Sequence, residues 1–151
     1  MLHLFNGIAN TNVVTSNASE AGTLVYDKQN THHFFFGDET ALQVFYRFKE
    51  MALRNNHEYF GVLELEPENE PLLQSLKLLV DRVAPTPGMP GHNAVRWMED
   101  MHPNCWKAWK RASFYLAGNE SSVQHFRDYL LQKKVDKRQI QILSITKTAT
   151  F

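Results

Sequence analysis

Residues 33–40 read His33-Phe34-Phe35-Phe36-Gly37-Asp38-Glu39-Thr40, and residues 115–121 read Tyr115-Leu116-Ala117-Gly118-Asn119-Glu120-Ser121. Both stretches run the same way: an unbroken apolar segment, a glycine, two polar residues, then a hydroxyl that can cap a helix. A short apolar run without alternation suits a strand buried on both faces, which is the habit of parallel sheets. Behind the first turn, Ala41, Val44, Phe45, Phe48 and Ala52 fall at helical spacing. Thr40 with Gln43 three residues on predicts a capping-box start for that helix, and Asn55-Asn56 its end. Ser121 with Gln124 predicts the same start for a helix carrying Val123, Phe126 and Leu130.

Outward from these two units the alternation continues. Phe60–Leu65, Leu78–Val83 and Ile140–Ile145 read as further strands. Glu70–Lys77 reads as a short helix. A second follows on Ala94, Val95, Met98 and Met101 and is broken at His102-Pro103. A third spans Trp106–Arg111. Pro85, Pro87, Gly88, Pro90 and Gly91 mark a loop, and residues 6–22 read as loop or one short helix. Strands alternating with helices across residues 32–145 predict a three-layer αβα domain. Its sheet is mostly parallel and five-stranded, with right-handed crossovers. Ligands of such sheets bind beyond the carboxyl ends of the strands.

Composition bounds the function. The chain has 151 residues, with 16 Lys+Arg against 16 Asp+Glu and a net charge of zero. That balance removes the usual electrostatic case for nucleic acid or an anionic membrane. At 43% hydrophobic and 21% charged residues the sequence is globular rather than disordered. No apolar run approaches the length of a membrane span, and no signal peptide opens the chain, so a cytoplasmic setting is expected. The lone Cys105 can form neither an internal disulfide nor a cysteine-based zinc site.

The glycine turns are the main chemical candidates. Glycine lets a backbone turn tightly and a ligand approach, and the helix start behind it directs N–H groups at whatever binds, a geometry suited to phosphate. Any βα unit needs the same turn, so both readings stand. Asp38 and Glu39 bring negative charge that opposes a phosphate unless they point away. His32 and His33, adjacent on a strand, face opposite sides and cannot share a metal. Cys105, Trp97, Trp106 and Trp109 read mainly as packing residues. The basic run Lys133, Lys134, Lys137 and Arg138 reads as a solvated helix end, with an anionic chelate or a 2′-phosphate as the minority reading.

The string Gly37-Asp38-Glu39-Thr40-Ala41-Leu42 resembles the "GDETALP" signature of the siderophore-interacting protein family, in the ferredoxin–NADP reductase superfamily. Tyr59–Leu65 resembles that family's second strand with its terminal Glu. Phe114–Glu120 resembles its "AGE" turn with Asn119 inserted, and 123–134 the helix that follows. The resemblance spans roughly residues 24–145. It implies a ferredoxin-reductase-like NAD(P)H-binding domain. Gly37, Asp38, Glu39, Thr40 and Ala41 would form the first nucleotide-side loop, and Gly118 and Glu120 the second, facing a nicotinamide–flavin junction. Glu64 stands where dinucleotide folds place a ribose contact, or else is a solvated strand end.

The departures from the family are as informative. The closing aromatic "YW…G" segment is absent from Thr146–Phe151, and so is the flavin-binding barrel with its Arg–x–Tyr motif. Leu2–Phe5 and Gly7-Ile8-Ala9 resemble the barrel's last strand and its pyrophosphate turn, so residues 1–22 read as a barrel remnant and 23–151 as the NAD(P)H domain. The missing barrel is expected in the DNA upstream. A complete member would pass a hydride from NAD(P)H to FAD and electrons on to a ferric siderophore. This chain alone would supply dinucleotide binding only and carry no FAD. The rival reading is a non-catalytic remnant or interaction domain that keeps the fold while its loops bind nothing, or that docks on a separate flavin-binding domain. Two expectations follow. A bare domain should show apolar surface near Leu24 and Ala117. Gly37→Val should abolish nucleotide binding, because a Cβ would intrude on the ligand.

Overall fold

The computed structural model describes residues 18–21 and 23–147. Its strands are β1 (Ala18–Ala21), β2 (His32–Asp38), β3 (Glu58–Glu64), β4 (Asp81–Val83), β5 (Ser113–Gly118) and β6 (Ile140–Lys147). Its helices are α1 (Leu42–Arg54), α2 (Pro71–Ser75), α3 (His92–Glu99), α4 (Pro103–Trp109) and α5 (Glu120–Gln132). The sheet order is β1-β6-β5-β2-β3-β4. Strands β2 to β6 are the five expected parallel strands. β1 adds an antiparallel edge strand, with Ala18 opposite Lys147 and Ala21 opposite Ser144.

The Phe34-Phe35-Phe36 run explains the three layers. Alternate side chains leave opposite faces of a strand. Phe34 and Phe36 therefore enter one core with Ala94, Met98, Val123 and Phe126, whereas Phe35 enters the other with Phe45, Phe48, Leu63 and Tyr115. Phe36 stacks on Phe126 at 4.2 Å between ring centres, and Phe35 on Phe45 at 4.8 Å. The residues predicted for the buried face of α1, Val44, Phe45, Phe48 and Ala52, are all buried.

Several element starts differ from expectation, for physical reasons. Thr40 does not cap α1. The Asp38 carboxylate, one residue past the glycine, accepts from the Thr40 N–H at 2.9 Å and caps a 3-10 turn over Glu39–Ala41, so α1 begins only at Leu42. Ser121 likewise gives way to Asn119, whose side-chain oxygen accepts from the N–H groups of Ser121 (2.9 Å) and Ser122 (3.3 Å). Asp38 and Asn119 stand first after each turn, and Asp caps better than Thr while Asn caps as well as Ser. α4 starts at Pro103 rather than Trp106, because proline is preset for the first helical position and His102 Nδ1 accepts from the Asn104 N–H at 3.0 Å.

Leu78–Val80 do not join β4. Lys77 turns the chain with φ of 52°, and pairing begins at Asp81. The segment Leu24-Val25-Tyr26 lies beside the sheet, where the Gln141 side chain binds Val25 N and O at 2.8 Å each. Leu24 and Ala117 themselves lie in the α1-side core, at 2% and 0% exposure, while Val25 beside Leu24 is exposed. β1 replaces the loop or short helix expected over its residues. Leu2–Phe5, Gly7–Ala9 and Phe151 lie outside the described residues.

Candidate functional site

The chain runs from β2 outward to β3 and β4, then crosses back to β5 and β6 on the other side of β2. The reversal between β2 and β5 is a topological switch point, where the connecting loops part and leave a crevice. Both glycine turns end at it. Gly37 pairs with Ala117 across the two strands. Beyond them lie two adjoining hollows. One of about 390 Å³ is lined by residues that include Asp38, Glu39, Thr40, Asn119 and Glu120. The other, of about 270 Å³, extends over β3 and adds Glu64, Glu66 and Thr86.

The structure thus brings Asp38, Glu39, Thr40, Glu64 and Glu120 to one crevice. Gly37, Ala41 and Gly118 stand behind it, and both glycines are held by packing. A Cβ on Gly37 would sit 2.2 Å from the Ala117 carbonyl oxygen and 2.9 Å from the Phe45 ring. Gly37 is therefore required by strand and helix packing, and Gly37→Val would disrupt the sheet with or without a nucleotide. Gly118 has φ of 140°, and a Cβ there would meet Asp38 Oδ2 at 2.6 Å. That oxygen accepts from the Asn119 N–H at 2.9 Å, while Oδ1 accepts from the Thr40 N–H and hydroxyl. Asp38 is the pin that joins the two turns.

Glu64 is not a solvated strand end. It is 5% exposed. Oε1 accepts from the Gly91 N–H at 3.1 Å, and Oε2 is buried without a well-aligned donor among the described residues. Burial pushes its carboxyl above the usual range, against the opposing pull of the Gly91 and Ala94 N–H groups. Thr86 Oγ1, on the same wall, is also buried and unpartnered among the described residues. The lining carries Asp38, Glu39, Glu64, Glu66 and Glu120 and, among the described residues, no Lys or Arg. These carboxylates do not converge: no group of three or more His, Cys, Asp or Glu among the described residues could hold a metal ion.

Asn119, Glu66, Thr86 and Ser122 were missed as lining residues. Asn119 stood in the quoted turn, and its place directly after Gly118 was the available signal. Thr86 sits in the Pro85–Gly91 loop, which follows the end of β4 and so had to lie at the carboxyl edge.

The remaining candidates lie elsewhere. Lys133, Lys134, Lys137 and Arg138 precede β6 and so sit at the opposite end of the sheet from the crevice; Arg138 forks onto Asp136 at 2.9 Å. Trp97, Trp106 and Trp109 pack against the core beneath α3 and α4. His32 meets the Trp109 ring edge-on at 4.9 Å. His33 is fully buried at the amino end of β2, with Nδ1 2.9 Å from the Tyr115 hydroxyl and Nε2 3.0 Å from His57 Nδ1. Among the described residues no helix is long and apolar enough to cross a membrane. Compared with family models, curated proteins and solved structures, the chain has no match.

Proposed function

We propose that this chain is a cytoplasmic NAD(P)H-binding module of the kind found in siderophore-interacting-type flavin reductases, acting on a flavin held by a separate domain. The single observation that carries the reading is the strand order. The order in which the chain adds its parallel strands reverses between β2 and β5, and the two glycine turns flank that switch point. Open α/β sheets of this order take dinucleotides across that crevice. The nicotinamide end would lie on the β5 side, between Asn119–Ser121 and Thr146, and the adenosine end over β3. NAD(P)H would supply the hydride and FAD in the partner domain would receive it, with a ferric siderophore as final acceptor. This chain's residues would bind and orient the dinucleotide.

One observation favours the second reading, an interaction domain that keeps the fold without nucleotide. Asp38 and Asn119 already occupy the N–H groups of both turns that a pyrophosphate would need. The two readings part in a thermal-unfolding series with NADH and NADPH. A ligand at about one hundred times its dissociation constant stabilises the folded state by about 2.7 kcal/mol. A rise in melting temperature that grows with the logarithm of coenzyme concentration supports the module. A melting temperature unmoved at millimolar concentration of both coenzymes supports the interaction domain.

A further inference from the structure

The zero net charge of the chain is a sum over two unlike ends of the sheet. The carboxyl edge carries the acidic crevice. At the amino edge two runs of cations meet. Lys107, Lys110 and Arg111 lead from α4 into β5, in a stretch from Pro103 to Ser113 that holds no Asp or Glu. Lys133, Lys134, Lys137 and Arg138 lead from α5 into β6. β5 and β6 are paired neighbours, with Phe114 opposite Ile140, so the two runs form one patch. Gln139 ties them together: its Nε2 donates to the Lys110 carbonyl at 3.0 Å and to the Ala112 carbonyl at 2.8 Å. All of these cationic residues are exposed. Asp136, the single acid between Tyr129 and Lys147, is forked by Arg138 through Nε at 3.1 Å and Nη2 at 2.9 Å. No other cation of the patch forms an ion pair with a described residue. Asp27, which accepts from the Ser113 hydroxyl at 3.0 Å, is offset by the adjacent Lys28. The other acids of this edge, Glu58, Asp81, Glu99 and Asp100, belong to β3, β4 and the end of α3 rather than to these turns. A helix dipole draws cations to the last turn, which accounts for Lys107 and Lys133 but not for Arg111, Lys137 and Arg138 beyond both helices.

The make-up of the patch limits its partner. It has no apolar centre: the large apolar side chains exposed among the described residues are Val25, Leu53, Leu79 and Met89, none of them in either run. A stable protein interface has such a centre, and a basic patch without an apolar or lipid anchor holds to a bilayer weakly. Trp106 and Trp109 interleave with the first run but pack against the core, Trp109 with His32 against its ring, so they offer no platform on which single-stranded bases could stack. Most of the cations are lysines, which act as point charges toward phosphate oxygens. We infer that this patch binds the phosphate backbone of double-stranded nucleic acid without sequence preference. A duplex carries one negative charge per about 1.7 Å of its length, and each phosphate neutralised releases condensed counterions. The balance that argues against nucleic acid holds for the chain as a whole and not for this edge. β5, with six residues, sets the acidic crevice about 20 Å away. At that distance its repulsion is largely screened at physiological salt. The inference is independent of what the crevice binds.

The test is fluorescence anisotropy of a labelled DNA duplex of about twenty base pairs, titrated with the full chain at several salt concentrations. With about five phosphates contacted, the logarithm of affinity should fall against the logarithm of salt with a slope of about −4.5, a loss of about 500-fold between about 50 and 200 mM. Duplexes rich in A·T and in G·C should bind within about threefold of each other. Lys110→Gln combined with Lys137→Gln, both at exposed positions, should bring the slope to about −2.7. Lys77→Gln, an exposed cation near β4, should leave the slope unchanged. No binding at about 0.1 mM chain and about 50 mM salt overturns the inference. A slope untouched by the double variant, or lowered as much per lysine by Lys77→Gln, overturns it as well. Binding to phosphatidylserine vesicles or to polyglutamate, with none to the duplex, gives the patch to a lipid surface or an acidic protein and overturns it too.

Discussion

Acid should destabilise this protein through one buried histidine. His33 is fully buried against Tyr26, whose ring stacks on it at 4.3 Å. The Asp27 N–H donates to the Tyr115 hydroxyl oxygen at 3.0 Å, and His33 Nδ1 lies 2.9 Å from the same hydroxyl. His33 Nε2 lies 3.0 Å from His57 Nδ1, which the Tyr26 hydroxyl also meets at 2.7 Å. A neutral His33 needs one donor and one acceptor from these neighbours, and a second proton would have to be held in a buried site. Burial first, and the neighbouring His57 ring second, hold His33 down from 6.5 to about 4.

The sign follows from that depression. The unfolded chain takes up the proton first, so stability is full above about pH 6.5, falls as the pH drops toward 4, and is flat below it. Each pH unit between the two titrations is worth about 1.4 kcal/mol, giving roughly 3 kcal/mol in full and roughly 2.5 kcal/mol by pH 4.5. Urea unfolding at pH 7.5 and 4.5, for the natural chain and for His33→Asn, isolates the effect. The variant should be less stable at pH 7.5, and its deficit should shrink by roughly 2.5 kcal/mol at pH 4.5. Parallel pH dependence in the two proteins would refute the assignment to His33.

Other outcomes follow from the crevice and its supports. Gly37→Ala should lower stability by roughly 3 kcal/mol in urea unfolding without any ligand, since its Cβ would meet the Ala117 carbonyl oxygen at 2.2 Å. Asn119→Ala should cost about 1 kcal/mol by removing the cap of α5, and Asn119→Asp should retain most of it. Phe126→Ala should cost about 4 kcal/mol, because the ring is fully buried and stacked on Phe36. The purified chain should be colourless, with no flavin absorbance near 450 nm above roughly one-tenth per chain, given a crevice without an isoalloxazine-sized apolar wall.

The layers of the fold were legible because Phe34-Phe35-Phe36 is apolar at every position and is bounded by Gly37, which suits a short strand covered on both faces. Helix starts were less so. A capping box is one local pattern, and it passes over Asp38 and Asn119, whose side chains accept from N–H groups two and three residues on; what no local pattern shows is the pairing of β2 with β5, which brings Asp38 to the Asn119 N–H. For the same reason Gly37 read as a ligand cradle, when the group that needs its missing Cβ is a carbonyl eighty residues away in sequence. Glu64 was legible as a candidate from its place at a strand end. Its burial was not, because the cover comes from the Gly91 loop, whose docking no local pattern encodes. The antiparallel β1 was hidden by a composition of Ala, Ser and Glu that favours no strand, and its partner β6 lies at the far end of the chain.

Backbone amide chemical shifts, followed as NADH is titrated into the isotopically labelled full chain, test the central claim most directly. The account predicts saturable shifts concentrated at Asp38–Thr40, at Asn119–Ser122 and at Glu64 with its partner Gly91, and small shifts at the amino end of the sheet around His33. Saturable shifts confined to the amino end, or no shifts at millimolar NADH, would contradict a dinucleotide crevice at the β2–β5 switch point.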